Sequence, residues 1–180
     1  METATRLFQE RGFSEVGINE IIEKAETAKA SFYQHFKSKT DLCEAWLQTI
    51  HERSEEIRSE ILDSAGDPVD KIVSYFEGIE PFLKANDFRG CPYSNTAAVV
   101  DSGCCGIRGK IESHKDSIRQ FFRQLTGEFA RSGERASQLA DQLFLLFSGA
   151  TSESQNLRAT WPARTACRAA REICEAERDR

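Results

Sequence analysis

The sequence predicts an all-α fold: an N-terminal three-helix head linked by a long helix to a larger helical body. Three observations carry this. Apolar residues recur at helical spacing from one end of the chain to the other, alternating strand patterns are almost missing, and glycine, proline and asparagine gather where the helical pattern lapses. A chain of 180 residues is long enough to bury a sizeable core. Its 24 basic and 29 acidic side chains sum to −5, which excludes coating nucleic acid by bulk charge, so any such contact must come from a local patch.

The first helix is expected over Glu2 to Arg11, with Ala4, Leu7 and Phe8 on one face and Gly12 as its stop. The second, Ile18 to about Ala25, sets Ile18, Ile21 and Ile22 against Glu20, Glu23 and Lys24. A third follows over Thr27 to Phe36, with Thr27 as its N-cap. The fourth opens at Ser38, three residues before Asp41 in a near capping box, and runs through Leu42, Trp46, Ile50, Ile57 and Ile61 to about Ser64. Gly66, Asp67 and Pro68 make a turn, after which Val69 to Leu83 read as one amphipathic helix. Asn86 to Cys91 breaks it before an apolar stretch at Ala97 to Val100, and Asp101 to Gly109 is expected to be a loop. Three further helices are expected around Ile111 to Phe129, Leu139 to Phe147, and Ala163 to Ala176.

Two short helices joined by a tight turn, backed by a third and followed by a long one, suit a helix-turn-helix whose second helix enters the major groove. Charge placement sharpens this. Residues 1–26 hold three bases and six acids, whereas residues 27–39 hold Lys29, Lys37 and Lys39 and no acid. The basic patch coincides with the expected recognition helix.

These residues resemble the TetR family of bacterial repressors: Leu7-Phe8-Gln9-Glu10-Arg11-Gly12-Phe13, then Ile18-Asn19-Glu20-Ile21, then Ala28 to Leu42. The Phe-Tyr-x-His-Phe-x-Ser-Lys-x-Asp-Leu run at Phe32 to Leu42 is the family signature. The resemblance implies a DNA-binding domain over residues 1–47 and a ligand-binding and dimerisation domain over 48–180. It implies a homodimer on a pseudo-palindromic double-stranded DNA operator, a repressor released by a small apolar or amphipathic effector. Tyr33, His35 and Lys39 would anchor phosphates, while Ala28, Lys29, Ser31 and Phe32 would face the groove floor or its edges; lysine and tyrosine are donors suited to the backbone, and Lys29 also reaches guanine acceptors. Three features depart from the family pattern. Met1 falls inside the usual first helix, so contacts from a basic extension are expected to be missing; Gly17 stands where a hydroxyl residue often caps the second helix; and Glu26 stands where the turn usually has glycine.

In the body, Arg89 to Asn95 is similar to a Gly-Cys-Pro segment of one branch of these regulators. Phe76, Cys91, Tyr93, Phe121 and Phe122 are the candidate ligand contacts, since rings with few polar groups make the usual small-molecule site. Leu139, Leu143, Leu146 and Phe147, with Ala163, Ala166, Ala169 and Ala170, suit two closely packed helices, which the resemblance implies pair with their two-fold mates, and Cys167 and Cys174 share a face in that seam.

Other chemistry finds little support. The six cysteines include no Cys-x-x-Cys pair, so neither a disulfide framework nor a zinc site is indicated. Cys91 with the adjacent Cys104 and Cys105 leaves a thiol- or metal-sensing regulator as the alternative. Gly103 to Lys110 lacks the glycine and hydroxyl positions of a phosphate loop. No local catalytic signature stands out, so the expectation is a non-enzyme without cofactor or resident metal. No run approaches the ~18 apolar residues of a membrane span, and the N-terminus lacks a secretion signal, which predicts a cytoplasmic protein with no membrane partner.

Overall fold

The computed structural model of the chain describes residues 1–101 and 103–179, and every regular element among them is a helix. Two compact units result. The first comprises Met1–Arg53 with Cys91–Ser113, the second Ser54–Gly90 with His114–Arg180.

In the first unit, α1 (Glu2–Arg11) stops at Gly12, whose φ of 88° lets its N–H close the last turn on the Phe8 carbonyl. After α2 (Ile18–Lys24), the Thr27 N–H bonds the Ile22 carbonyl and the Glu26 N–H bonds that of Glu23. This paired closure puts Glu26 at φ 49°, the left-handed conformation that favours glycine. The position that departs from the family pattern is therefore a strained one. The same closure draws Thr27 into the end of α2, so α3 (Lys29–His35) has Ala28 rather than Thr27 as its N-cap.

The long helix α4 (Lys39–Asp63) starts as expected. The Ser38 Oγ accepts from the Asp41 N–H at 3.0 Å, and the Asp41 carboxylate reaches back to the Lys37 N–H at 3.1 Å. Its Leu42, Trp46 and Leu47 join Leu7, Phe8, Val16, Ile21 and Phe32 in the core of this unit. Beyond Gly90 at φ 66°, Pro92 opens the short α7 (Pro92–Ala97), which brings Tyr93 and Thr96 into the interior. The Tyr93 hydroxyl donates to the Leu47 carbonyl at 2.5 Å, pinning α7 to α4.

The expected loop is shorter than the composition suggested. Helix α8 (Cys105–Gly127) begins inside it, and Gly106 and Gly109 are helical. Ile107 is fully buried and continues the apolar stripe of α8 backwards, which outweighs the ~1 kcal/mol that each glycine costs a helix. Ser102, also within the expected loop, lies outside the described residues.

In the second unit, the Asp67 carboxylate caps α5 (Pro68–Glu77) by accepting from the Val69 and Asp70 N–H groups at 2.8 and 3.0 Å. The single helix expected over Val69 to Leu83 is interrupted at Gly78, and α6 (Ile79–Ala85) follows. Pro81 lacks an N–H and crowds the Glu77 carbonyl, which accounts for a break at that place. Ser132 caps α9 (Gly133–Leu157), and α10 (Trp161–Arg178) carries Pro162 in its first turn.

Helix α10 packs on both α5 and α9, with Ala163, Ala166 and Ala170 allowing close approach. Those alanines, Leu139, Leu143 and Cys174 are almost wholly buried within one chain. The two helices thus pack closely as expected, but Leu139, Leu143, Ala163, Ala166 and Ala170 are spent inside the chain, while Leu146, Phe147 and Ala169 stay half-buried. Around it, Tyr75 stacks on Phe147 at 4.8 Å and tilts against Phe121 at 4.9 Å, and Phe122 lies 5.8 Å from Phe76. Arg58 is a charged residue buried in this unit, its guanidinium held by Ser54 at 2.6 Å, Glu55 at 2.8 Å and Ser117 at 3.0 Å.

Candidate nucleic-acid interface

Helix α3 divides its side chains sharply. Phe32 is 6% exposed and anchors the helix in the head core, with Tyr33 edge-on at 5.2 Å and Phe36 at 5.9 Å. Its ring therefore faces inward, away from the groove position the resemblance implied. Ala28, Lys29, Tyr33, His35 and Lys37 are exposed, and Ser31 is half-buried. Among the described residues the Lys29 and Lys37 ammonium groups have no ion pair, whereas Arg6, Arg11 and Lys24 on the preceding helices are bound to Glu10, Glu20 and Glu20 respectively. Lys39 is half-buried: its Nζ donates to the Ser14 carbonyl at 3.4 Å and sits 4.4 Å from the Phe13 ring centre, and burial lowers its pKa. Unpaired positive charge is thus concentrated on and just after α3, as phosphate contact requires.

The first unit also contains a cleft of about 520 Å³. One wall is a face of α4 carrying Glu44, Gln48 and His51; the other is the start of α8, from Cys105 to Ser113, with Tyr93 between them. The Lys110 Nζ crosses to the Gln48 Oε1 at 2.7 Å, and the Gln48 amide donates to Glu52 at 2.9 Å. Of the lining, sequence reasoning singles out Tyr93 as a ligand contact and Cys105 as a reactive thiol but passes over Glu44 and Gln48. Their signal was a polar face at i, i+4 and i+7 on α4, matched by Gly106 and Gly109 at i and i+3 on α8.

Of the five candidate ligand contacts, Cys91 and Tyr93 belong to this unit, half-buried and buried respectively. Phe76, Phe121 and Phe122 belong to the second unit's core, at most 4% exposed and packed ring against ring. The cysteines differ in reach: Cys105 is exposed and Cys91 and Cys104 are half-buried, while burial pushes the Cys43 and Cys174 thiols up to about 12. Among the described residues, no three His, Cys, Asp or Glu are placed to hold a metal ion. None of the helices described is long and apolar enough to cross a membrane.

A buried aromatic anchor under an exposed basic helix, within a three-helix head, defines a helix-turn-helix DNA-binding regulator. Residues 1–46 match the profile of the bacterial regulatory proteins of the tetR family. The chain is similar to the HTH-type transcriptional repressor NemR of Escherichia coli K12, 25% identical over 177 residues that cover 92% of this chain and 87% of that one. In structure it is similar to a TetR-family regulator from Streptomyces coelicolor, with TM-score 0.88, 21% identity and coverage of 98% and 93%. It also resembles the reduced form of Escherichia coli NemR, with TM-score 0.80, 23% identity and coverage of 96% and 93%. Residues 1–46 thus carry the DNA-binding head of the tetR family of bacterial regulatory proteins, and the remainder of the chain shares the helical fold of such regulators.

Proposed function

We propose that this chain is a cytoplasmic repressor that binds a pseudo-palindromic operator as a homodimer and leaves it when a small-molecule effector binds. The observation that carries the reading is the α3 surface, where Lys29, Tyr33, His35 and Lys37 stand exposed above the buried Phe32. Lys29, near the start of the helix, is assigned to base edges, and Tyr33, His35 and Lys39 to phosphates. Residues 1–47 act as the DNA-binding domain and 48–180 carry effector response and dimerisation.

A single helix-turn-helix makes few contacts, so two heads on a two-fold axis are needed for tight binding. With Leu139 and Leu143 spent inside the chain, the dimer contacts are assigned to what α9 and α10 leave outside: Leu145 at 67% exposed and Trp161 at 59%. Selection of bound DNA from a random pool tests the reading. A palindromic consensus is expected, and Leu145→Asp is expected to weaken both self-association in sedimentation and operator binding by at least ~10-fold. Recovery of no consensus, or of a lone half-site, overturns it.

The exposed Cys105 and half-buried Cys91 and Cys104 favour a second reading, in which covalent thiol chemistry triggers release. Replacing all three by serine separates the two: retained induction removes the thiol reading.

A further inference from the structure

We infer that the cleft between α4 and α8 is the effector site and that it takes a small zwitterion, with an ammonium group against Glu44 and a carboxylate or comparable acceptor against Lys110. The inference rests on the regulator reading above, extends its effector contacts from residues 48–180 to Glu44 of the head, and changes the chemical class of the effector from apolar to charged. Four observations carry it.

The α8 wall of the cleft carries two glycines, so no side chain stands between it and α4 at those positions. Gly109 lies within α8, and a Cβ built there meets no atom within 4 Å, so even alanine, the better helix former, would be accommodated. At Gly106 a Cβ would overlap the Glu44 carboxylate, so that missing side chain is what lets Glu44 lie against the helix. Any larger residue at either position would begin to fill the cleft.

The charges are opposite and incompletely used. Glu44 is half-buried and has no ion pair or hydrogen bond among the described residues. Lys110 is half-buried as well and is bound to the Gln48 amide oxygen, which leaves donor capacity on its ammonium. Elsewhere in this unit acids and bases pair directly, as Arg11 and Glu20 do. A carboxylate and an ammonium lining one cleft without pairing select a ligand that carries both complementary charges.

The volume, about 520 Å³, lies within the usual range for small-molecule sites. The ring cluster of the second unit, by contrast, is filled by its own side chains: Phe76 is 1% and Phe122 0% exposed.

The position suits control. Glu44 and Gln48 share α4 with Leu42, Trp46 and Leu47, which belong to the head core that also holds Phe32 of α3. A ligand that draws α4 and α8 together acts on the helix immediately following the recognition helix. Release then requires only that the ligand favour an α4 placement with lower operator affinity.

The test uses the purified chain with its selected operator and free α-, β- and ω-amino acids of three to eight carbons at 10 mM. Their N-acetyl and methyl-ester forms, which lack one charge, serve as controls. At least one zwitterion is expected to raise the melting temperature and weaken operator binding, with both single-charge forms inactive. Glu44→Gln and Lys110→Met are expected to raise that ligand's Kd about 10- to 100-fold, and Gly109→Leu to abolish its binding while operator affinity persists. No response to any zwitterion, or a response unchanged in Glu44→Gln and Gly109→Leu, overturns the inference. Induction by uncharged apolar compounds that survives Gly109→Leu overturns it too. Loss of operator binding by the unmodified chain would instead sink the regulator reading, so the two failures are distinct.

Discussion

The two units of this chain treat charge and space in opposite ways. In the second unit, bases are matched to acids across helices: Arg164 bridges Glu80 with bonds of 2.7 and 2.8 Å, Arg171 meets Asp70 at 3.1 Å, and Arg135 meets the buried Glu177 at 2.7 Å. Its core is closed by stacked rings and alanines. In the first unit, Lys29 and Lys37 stay unpaired, a carboxylate and an ammonium line a cleft, and two glycines leave part of one wall without side chains. Paired charge and filled space hold a scaffold together; unpaired charge and open space are what a partner can use.

The largest break in this contrast is expected from emptying the filled core. Phe122→Ala should cost about 3–5 kcal/mol in urea unfolding, because the surrounding rings cannot collapse into the space. A loss under 1 kcal/mol would show that the second unit is more loosely packed than its burial indicates.

Next in size are the unpaired charges of α3. Lys29→Ala and Tyr33→Ala should each weaken operator binding by ~1–3 kcal/mol, which mobility-shift titrations at several salt concentrations would measure. Lys29→Ala should also change base preference, whereas Tyr33→Ala should weaken all sequences alike. Equal losses from Lys29→Ala on every sequence would make that residue a phosphate contact.

Smaller again is the strain at Glu26. Glu26→Gly should stabilise the chain by about 1 kcal/mol in thermal melts, because φ 49° costs an L side chain and not glycine. A neutral or destabilising result would mean that the glutamate makes a compensating interaction.

The smallest effect is expected from the exposed ties of the second unit. Bonding to Arg164 first, and then to Lys84, lowers the Glu80 carboxyl from its ordinary 4.5 to about 2. A lowered folded value means that the group's contribution is fully present above about pH 4.5 and is lost as pH falls towards 2. Carboxyl titration by NMR should show the depressed value in the unmodified chain and its return towards 4.5 in Arg164→Ala, with little change in melting temperature at neutral pH.

Local rules made much of this legible before any coordinates. Helix stops at Gly12, the cap at Ser38 and the Asp67-Pro68 start follow from the chemistry of single residues, and they fall where expected. The head was recognisable because Phe32 to Leu42 combines an anchor, donors and a cap in one short run. The resemblance marked Glu26 as standing in a glycine position, and the structure shows why that matters, with φ at 49°.

Position in space decided the rest. Composition suggested a loop at Asp101 to Gly109, yet Ile107 had a buried site to fill, and burial extended α8 through two glycines. Periodicity put Leu139, Leu143 and the alanines on suitable faces but could not say whether the partner helix belonged to the same chain or another. The motif's family resemblance put Phe32 at the groove, and only its packing against the head places the ring in the core instead. The cleft is the clearest case: Glu44, Gln48 and Lys110 lie far apart in sequence and mean nothing separately. They become a site because two helices place them on facing walls, a long-range relation that no local preference encodes.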